Sequence, residues 1–236
     1  MPTMKKIQYE LENDIAHIMM DDGKANAMDF DFFEEMGRAL DRLEGEGAKS
    51  LIIKGRPGFF SGGLDMKLIP TLSPTDLNTL AETFARTILR VFSLPLPTIA
   101  LCTGHAVAGG AILAFSCDLR FAFEGPYRIQ MNEAVLGIPL PSWMLLIGRS
   151  AISVQWFAEA FLHAVAYTPL QALEKGMLHG VIKSKEEALA FAKAQAEKLK
   201  NLNLRAYYES KKRLRESDVR DVLELLQGEL PFKKEE

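Results

Sequence analysis

The run from Thr103 to Asp118, Thr-Gly-His-Ala-Val-Ala-Gly-Gly-Ala-Ile-Leu-Ala-Phe-Ser-Cys-Asp, restricts the fold more than any other stretch of the chain. An apolar strand, Thr98 to Cys102, runs into it. Small residues (Gly104, Ala106, Ala108, Gly109, Gly110, Ala111) form a turn, a helical run from Ile112 to Phe115 follows, and Asp118 closes it. Without a Cβ, glycine lets another group approach the backbone closely. The first amides of a helix lack internal acceptors and carry the positive end of its dipole. Such a turn suits negative charge, resident or developing. It equally suits tight packing of a buried helix on a sheet. A second glycine turn, Phe59-Phe60-Ser61-Gly62-Gly63-Leu64-Asp65-Met66-Lys67, follows the strand Ser50 to Lys54 and is expected to open a helix. Two such turns can bring two backbone N–H groups to one oxygen.

The remainder of the chain reads as α/β. Strands are expected at Ile7–Leu11, Asp14–Met20, Asp118–Phe123 and, short and extended, Tyr127–Gln130. The helix from Asp29 to Leu43 is marked by a capping aspartate and by Phe32, Phe33, Met36, Leu40 and Leu43 at helical spacing. A long helix, Thr75–Phe92, stops before Pro95 and Pro97, and a brief one is expected after Glu133. From Ser142 the pattern is almost wholly helical: a helix from Pro169 to Gly176, a last strand near Gly180–Lys183, then helices at Glu186–Lys200, Leu204–Arg215 and Val219–Leu226. We divide the chain into an α/β core, residues 1–180, and a C-terminal helical region, residues 181–236.

With 236 residues and 48% apolar composition the chain can bury a full core. A net charge of −3 gives no basic excess for a nucleic-acid partner. No apolar run reaches the ~20 residues of a membrane span, and Met1–Lys6 lacks the apolar core of a secretion signal, so a cytoplasmic protein is the expectation. Cys102 and Cys117, in apolar context, read as buried reduced thiols.

The two glycine segments, in this order and about 45 residues apart, resemble the paired oxyanion-hole motifs of the crotonase (enoyl-CoA hydratase/isomerase) superfamily. Phe60 to Lys67 meet the first motif, Phe-Ser/Ala-Ala/Gly-Gly-x-Asp-apolar-Lys. The resemblance implies a ββα spiral core followed by helices, trimers or hexamers of a single chain, an acyl-CoA thioester substrate, and no cofactor or metal beyond the coenzyme A of the substrate. It assigns the oxyanion donors to the backbone N–H groups of Leu64 and Gly109, with Gly62, Gly63, Asp65 and Gly110 shaping the turns. Hydratases of the family carry two glutamates. One corresponds here to Glu133 and the other to Ile112, which cannot move a proton.

This pattern most resembles the Δ3,Δ2-enoyl-CoA isomerase branch, which implies a shift of the double bond from C3 to C2; the alternatives are an enoyl-CoA hydratase or other enolate chemistry on the same scaffold, or a non-catalytic acyl-CoA-binding protein. Gly63-Leu64-Asp65, Ala108-Gly109-Gly110 with Ile112, and Asn132-Glu133-Ala134-Val135-Leu136-Gly137-Ile138-Pro139-Leu140-Pro141-Ser142-Trp143 carry the likeness. Glu133 would be the single general acid/base, and Ile112, Leu140 and Trp143 a dry wall that disfavours water. On its residues alone, Glu133 is either a carboxyl with a raised pKa among apolar neighbours or a surface glutamate at a helix start. The family lays the loop matching Lys24-Ala25-Asn26-Ala27-Met28 over coenzyme A, making Lys24, Ala25 and Ala27 binding residues. Lys24 and Lys67 are candidate phosphate partners, or merely solvated.

His105 reads as structural; His17, His163 and His179 show no metal spacing. Asp65 and Asp118 are expected to brace turns, Ser61 to lack an activating base, and Lys211, Lys212, Arg213 and Arg215 to form a solvated face or subunit contact. The last apolar stripes, Leu204 to Leu226, are expected between subunits, and the chain, with its polar tail Lys233–Glu236, is expected to end earlier than many members of the family it resembles.

Overall fold

The computed structural model describes residues 6–231; the tail Lys233–Glu236 lies outside them. The chain runs through β1 (Ile7–Glu12), β2 (Ile15–Met20), β3 (Ala27–Met28), α1 (Phe30–Gly45), β4 (Ser50–Lys54), β5 (Gly58–Ser61), β6 (Gly63–Leu64) and α2 (Pro74–Ser93). It continues with β7 (Thr98–Cys102), β8 (Gly104–Val107), α3 (Gly109–Ser116), β9 (Leu119–Phe123), β10 (Ile129–Gln130), α4 (Ser142–Ala151) and α5 (Val154–Phe157). A π-helical turn follows α5, and then come α6 (Pro169–Glu174), β11 (Gly180–Ile182), α7 (Lys185–Lys200), α8 (Leu204–Leu225) and a 3-10 turn, Leu226–Glu229.

The large sheet has the order β1-β2-β4-β7-β9-β11, with only β1 and β2 antiparallel. A smaller parallel sheet runs β10-β8-β5, and β3 pairs with β6. Three times a strand of the large sheet is followed by one or two short strands outside it and then a helix: β2-β3-α1, β4-β5-β6-α2 and β7-β8-α3. This is the α/β, ββα spiral that the resemblance implied.

Local chemistry explains the elements. Asp29 caps α1 by accepting from Phe32 N–H, and Ser73 caps α2 with Pro74 in the first turn. The apolar stripes of α1 and α2 face the main core, where Phe33 and Phe84 meet at 5.5 Å. α3 is apolar all round and buried along its whole length, as such a helix must be. The outer face of the large sheet presents Ile15, Ile52, Ile99, Leu101, Phe121 and Phe123, covered by Ala188, Ala192 and Ala196 of α7. Alanine every fourth residue brings that helix close to the strands, and each large side chain so buried contributes roughly 1.5–3 kcal/mol.

The structure corrects four expectations. Gly104–Val107 is a strand, not a turn. It looks like a turn in sequence because it must be small: a Cβ on Gly104 would lie 1.9 Å from the Gly58 carbonyl carbon across the sheet. The first glycine segment opens no α-helix but enters β6 and, after Asp65, a 3-10 turn. Ala134–Gly137 is a hydrogen-bonded turn, not a helix, since Gly137 takes φ of 73° and Pro139 follows. Leu204–Leu225 is one helix, because Ser217 and Asp218, read as a break, continue it on the exposed side.

Candidate active site

Three parallel strands, β5, β8 and β10, end at the same edge of the small sheet. Their registers, Ser61 opposite Ala106 and Ile129 opposite Ala106, put the residues that follow them side by side. Those residues are Gly62-Gly63-Leu64 after β5, Ala108-Gly109-Gly110 after β8, and Met131-Asn132-Glu133 after β10. Ala108 N–H donates to Gln130 O at 2.8 Å, which ties the second and third ends together.

The two glycine turns touch. A Cβ on Gly63 would lie 2.8 Å from Gly109 N, and one on Gly110 would lie 2.1 Å from Ser61 O. Gly63 has φ of 86°, a conformation that glycine adopts freely. Gly63 N–H donates to Ser61 Oγ and Asp65 N–H to Met28 O. Gly109 N–H opens α3 and has no acceptor within the helix. Ala108 caps that helix at φ 48° and ψ −120°, a conformation that costs a non-glycine residue about 1–3 kcal/mol. The strain sits where the chain turns the first amides of α3 out of the small sheet.

Ser61 is buried and structural: its hydroxyl donates to Asn26 O and accepts from Gly63 N–H. Asn26, at φ 52°, organises the loop. Its Nδ2 donates to Met20 O and Phe60 O, and its Oδ1 accepts from Asp22 N–H. Asp22 in turn accepts from Lys24, Asn26 and Ala27 N–H. Ala25 O accepts from Gly62 N–H at 2.8 Å and Ala27 pairs with Gly63, so the Lys24–Met28 loop adjoins the first glycine turn. Asp22 and Asn26 were not singled out from the sequence. Their signal was the preference of Asp and Asn for turns bonded to their own backbone.

Glu133 is 6% exposed, and its Oε2 is buried without a hydrogen-bond partner, as is Asn132 Oδ1. Burial raises the Glu133 pKa above the ordinary carboxyl value, against the opposing pull of the Glu133 and Asn132 amides. The surface-glutamate reading is thereby set aside. Ile138 N–H donates to Glu133 O at 2.9 Å, and Ile138 is on the rim of a cavity of about 440 Å³.

That cavity is almost wholly apolar. Leu64, Ile69, Leu77, Leu80 and Phe84 line one part of it. Pro139, Trp143, Met144, Leu226 and Leu230 line another, and the one charged lining residue, Glu229, is bonded to Ser142. Trp143 sets the edge of its ring against Phe84 at 5.0 Å. Of the residues singled out from the sequence, Leu64 and Trp143 line the cavity. Ile112 is fully buried in the core beyond Gly109, and Leu140 is half-buried against it. Lys24 and Lys67 are exposed, and Asp65 braces its turn by accepting from Lys67 N–H. The α2 residues and the C-terminal turn were missed, since an apolar helix face signals core and cavity alike.

The basic run needs a correction too. Lys211 and Arg215 are not solvated; both pair with Asp118, at 2.8 and 3.0 Å. Thr98 and Tyr207 also bond this carboxylate. Lys212 and Arg213 are exposed as expected. His105 accepts from Arg128 N–H and packs between Phe59 and Tyr127, a structural role. Cys102 and Cys117 are buried free thiols, both pushed up to about 12 by burial. Among the described residues no helix is long and apolar enough to cross a membrane, and no cluster of His, Cys, Asp and Glu could hold a metal ion.

Comparison with known proteins places this arrangement. The family model described as enoyl-CoA hydratase/isomerase matches residues 10–229. Enoyl-CoA delta isomerase 1, mitochondrial, of Rattus norvegicus is 27% identical over 75% of this chain and 62% of its own length. A probable enoyl-CoA hydratase of Bacillus subtilis is 34% identical over 57% of this chain and 53% of its own. The chain thus spans less than two thirds of these relatives. The crystal structure of an enoyl-CoA hydratase/isomerase family protein from Pseudomonas syringae superposes with a TM-score of 0.91, at 29% identity, over 98% of this chain and 100% of that one.

Proposed function

The chain belongs to the enoyl-CoA hydratase/isomerase family, and from that premise we propose that it is an enoyl-CoA isomerase with Glu133 as its single general acid/base. The observation that carries this reading is the buried Glu133 carboxyl, whose Oε2 has no hydrogen-bond partner, at the same sheet edge as two touching glycine turns. The thioester oxygen of a 3-enoyl-CoA accepts from Leu64 and Gly109 N–H. Glu133 takes a proton from C2, the negative charge moves to the thioester oxygen as an enolate, and the same carboxyl returns the proton at C4. The double bond then lies between C2 and C3, and no atom is gained or lost. Each oxyanion donor contributes about 3 kcal/mol to such a transition state.

Two features favour isomerisation over hydration. Ile112, fully buried, stands where a hydratase of this family would hold its second glutamate, and the adjoining cavity is apolar, an environment that excludes water as a reactant. Burial raises the pKa of the Glu133 carboxyl, a shift in the direction that strengthens a general base. The reading extends to coenzyme A lying over the Lys24–Met28 loop, with Ala25, Ala27, Gly62, Gly63, Asp65, Gly110 and Lys67 around it and no further cofactor, and to assembly as a homotrimer or hexamer. Supplying the protein with 3-enoyl-, 2-enoyl- and saturated acyl-CoA tests it. Conversion of the 3-enoyl to the 2-enoyl thioester, with no water added across the double bond, is expected, and hydration of the 2-enoyl thioester as the only reaction overturns it.

A further inference from the structure

We infer that the C-terminal turn of this chain is the wall that limits the length of acyl chain the site accepts, and that Glu229 is the residue that holds the wall in place. The inference rests on the acyl-CoA reading above. It starts from a missing cap. α4 begins after Pro141, whose side chain cannot accept from the free amides of the first turn. The acceptor comes instead from the far end of the chain. Glu229 Oε2 accepts from Ser142 N–H at 2.8 Å and Glu229 Oε1 from the Ser142 hydroxyl at 2.5 Å. A carboxylate at this position also meets the positive end of the α4 dipole. Glu229 is exposed and Ser142 half-buried, so the contact is open to screening by salt.

The clasp has a geometric consequence. Leu226 and Leu230, on either side of Glu229, line the same cavity as Leu64 and Trp143. Leu226 is 2% exposed and anchored in the core, whereas Leu230 is half-buried and held by the clasp beside it. α8 brings the turn there because Lys211 and Arg215 bind Asp118 of the same chain. The wall is therefore intrachain. A cavity of about 440 Å³ holds on the order of a dozen methylene groups at roughly 30 Å³ each, the share of a water molecule in the liquid. By volume, a six-carbon chain takes up roughly 180 Å³ of that space and a twelve-carbon chain roughly 360 Å³, most of it.

The test is calorimetric titration of hexanoyl-, dodecanoyl- and hexadecanoyl-CoA into the wild-type protein, Leu230→Trp and Glu229→Ala, with thermal melts to verify folding. Leu230→Trp, at a half-exposed position, is expected to weaken dodecanoyl-CoA at least tenfold and hexanoyl-CoA less than threefold. Glu229→Ala is expected to raise the affinity for hexadecanoyl-CoA relative to dodecanoyl-CoA at least threefold. Equal effects of Leu230→Trp on both shorter chains, or an unchanged ratio in Glu229→Ala, overturn the inference. A wild-type protein that shows this length pattern but does not isomerise 3-dodecenoyl-CoA removes the reaction and leaves the wall standing. One that binds no acyl-CoA removes both.

Discussion

Gly63 and Gly109 face each other so closely that a Cβ on Gly63 would stand 2.8 Å from the Gly109 nitrogen. The contact joins two turns that come from different strands. Gly63→Ala should separate the turns and force an L side chain into φ of 86°. We expect kcat/KM for isomerisation to fall by about 10²–10³, the loss seen when one oxyanion donor is displaced, with a lower Tm. A variant within threefold of wild-type turnover would show that the two amides do not act on one oxygen.

Glu133→Gln keeps the shape of the side chain and removes its basicity. Isomerisation should fall by about 10²–10⁴, the contribution of a general base, while acyl-CoA affinity stays within about threefold. Stability should move the other way. The folded pKa of Glu133 is raised, so the folded chain holds this proton more tightly than the unfolded chain. The stabilisation is present at acid pH and is lost as pH rises through the folded value. Melting curves should therefore show Glu133→Gln above wild type at neutral pH, by about 2–4 °C for each kcal/mol, and no gain at acid pH. In wild type, kcat/KM should fall as pH drops through the same raised value.

Ile112→Glu would place a carboxyl at a fully buried position. An unpartnered buried polar group destabilises by several kcal/mol, on the order of 3. We expect a Tm lowered by several degrees and, in the protein that folds, measurable hydration of 2-enoyl-CoA. A variant as stable as wild type, with no hydratase activity, would place this side chain away from the reacting carbons.

Asp118→Asn would leave Lys211 and Arg215 facing a neutral amide. Removing one partner of a buried ion pair costs about 3–5 kcal/mol, and urea unfolding should read that loss. Burial alone would push the Asp118 carboxyl up, but Lys211, Arg215 and Tyr207 together hold it below the usual range. Its stabilisation is accordingly present above the unfolded pKa and is lost as pH falls through the depressed folded value. The mutational loss should shrink at strongly acid pH.

Assembly can be read from light scattering across a dilution series. We expect a trimer or a multiple of three. Leu214 and Leu225 on α8 are 73% and 52% exposed in the single chain and should be among the side chains that assembly covers. A fully active monomer at working concentration would show that the intrachain wall of the cavity is sufficient.

Much of this protein was legible because its signals are local. The apolar period of Phe32 to Leu43, the capping Asp29 and the prolines after α2 each act through neighbours in sequence. The glycine segments were legible for the same reason, since a positive φ or a close backbone approach is written in the absence of a side chain. The misreadings share the opposite property. Gly104–Val107 is a strand because β5 and β10 flank it, and small residues chosen for that close approach look like a turn. Lys211 and Arg215 looked solvated until α8 was laid against Asp118, a residue more than 90 positions away.

The sequence by itself determined the α/β alternation, the two glycine turns, the apolar residue at position 112 and the lone glutamate after β10. It did so because helix period, caps and glycine conformations are decided within a few residues. Only the tertiary structure decided that the ends of β5, β8 and β10 lie at one edge, that Glu133 is buried with one carboxyl oxygen unpartnered, and that Leu64, Leu226 and Leu230 line one cavity. Those are facts of desolvation and long-range contact. A carboxyl has the same formula in water and in an apolar wall, and what changes its chemistry is the set of groups that folding brings around it.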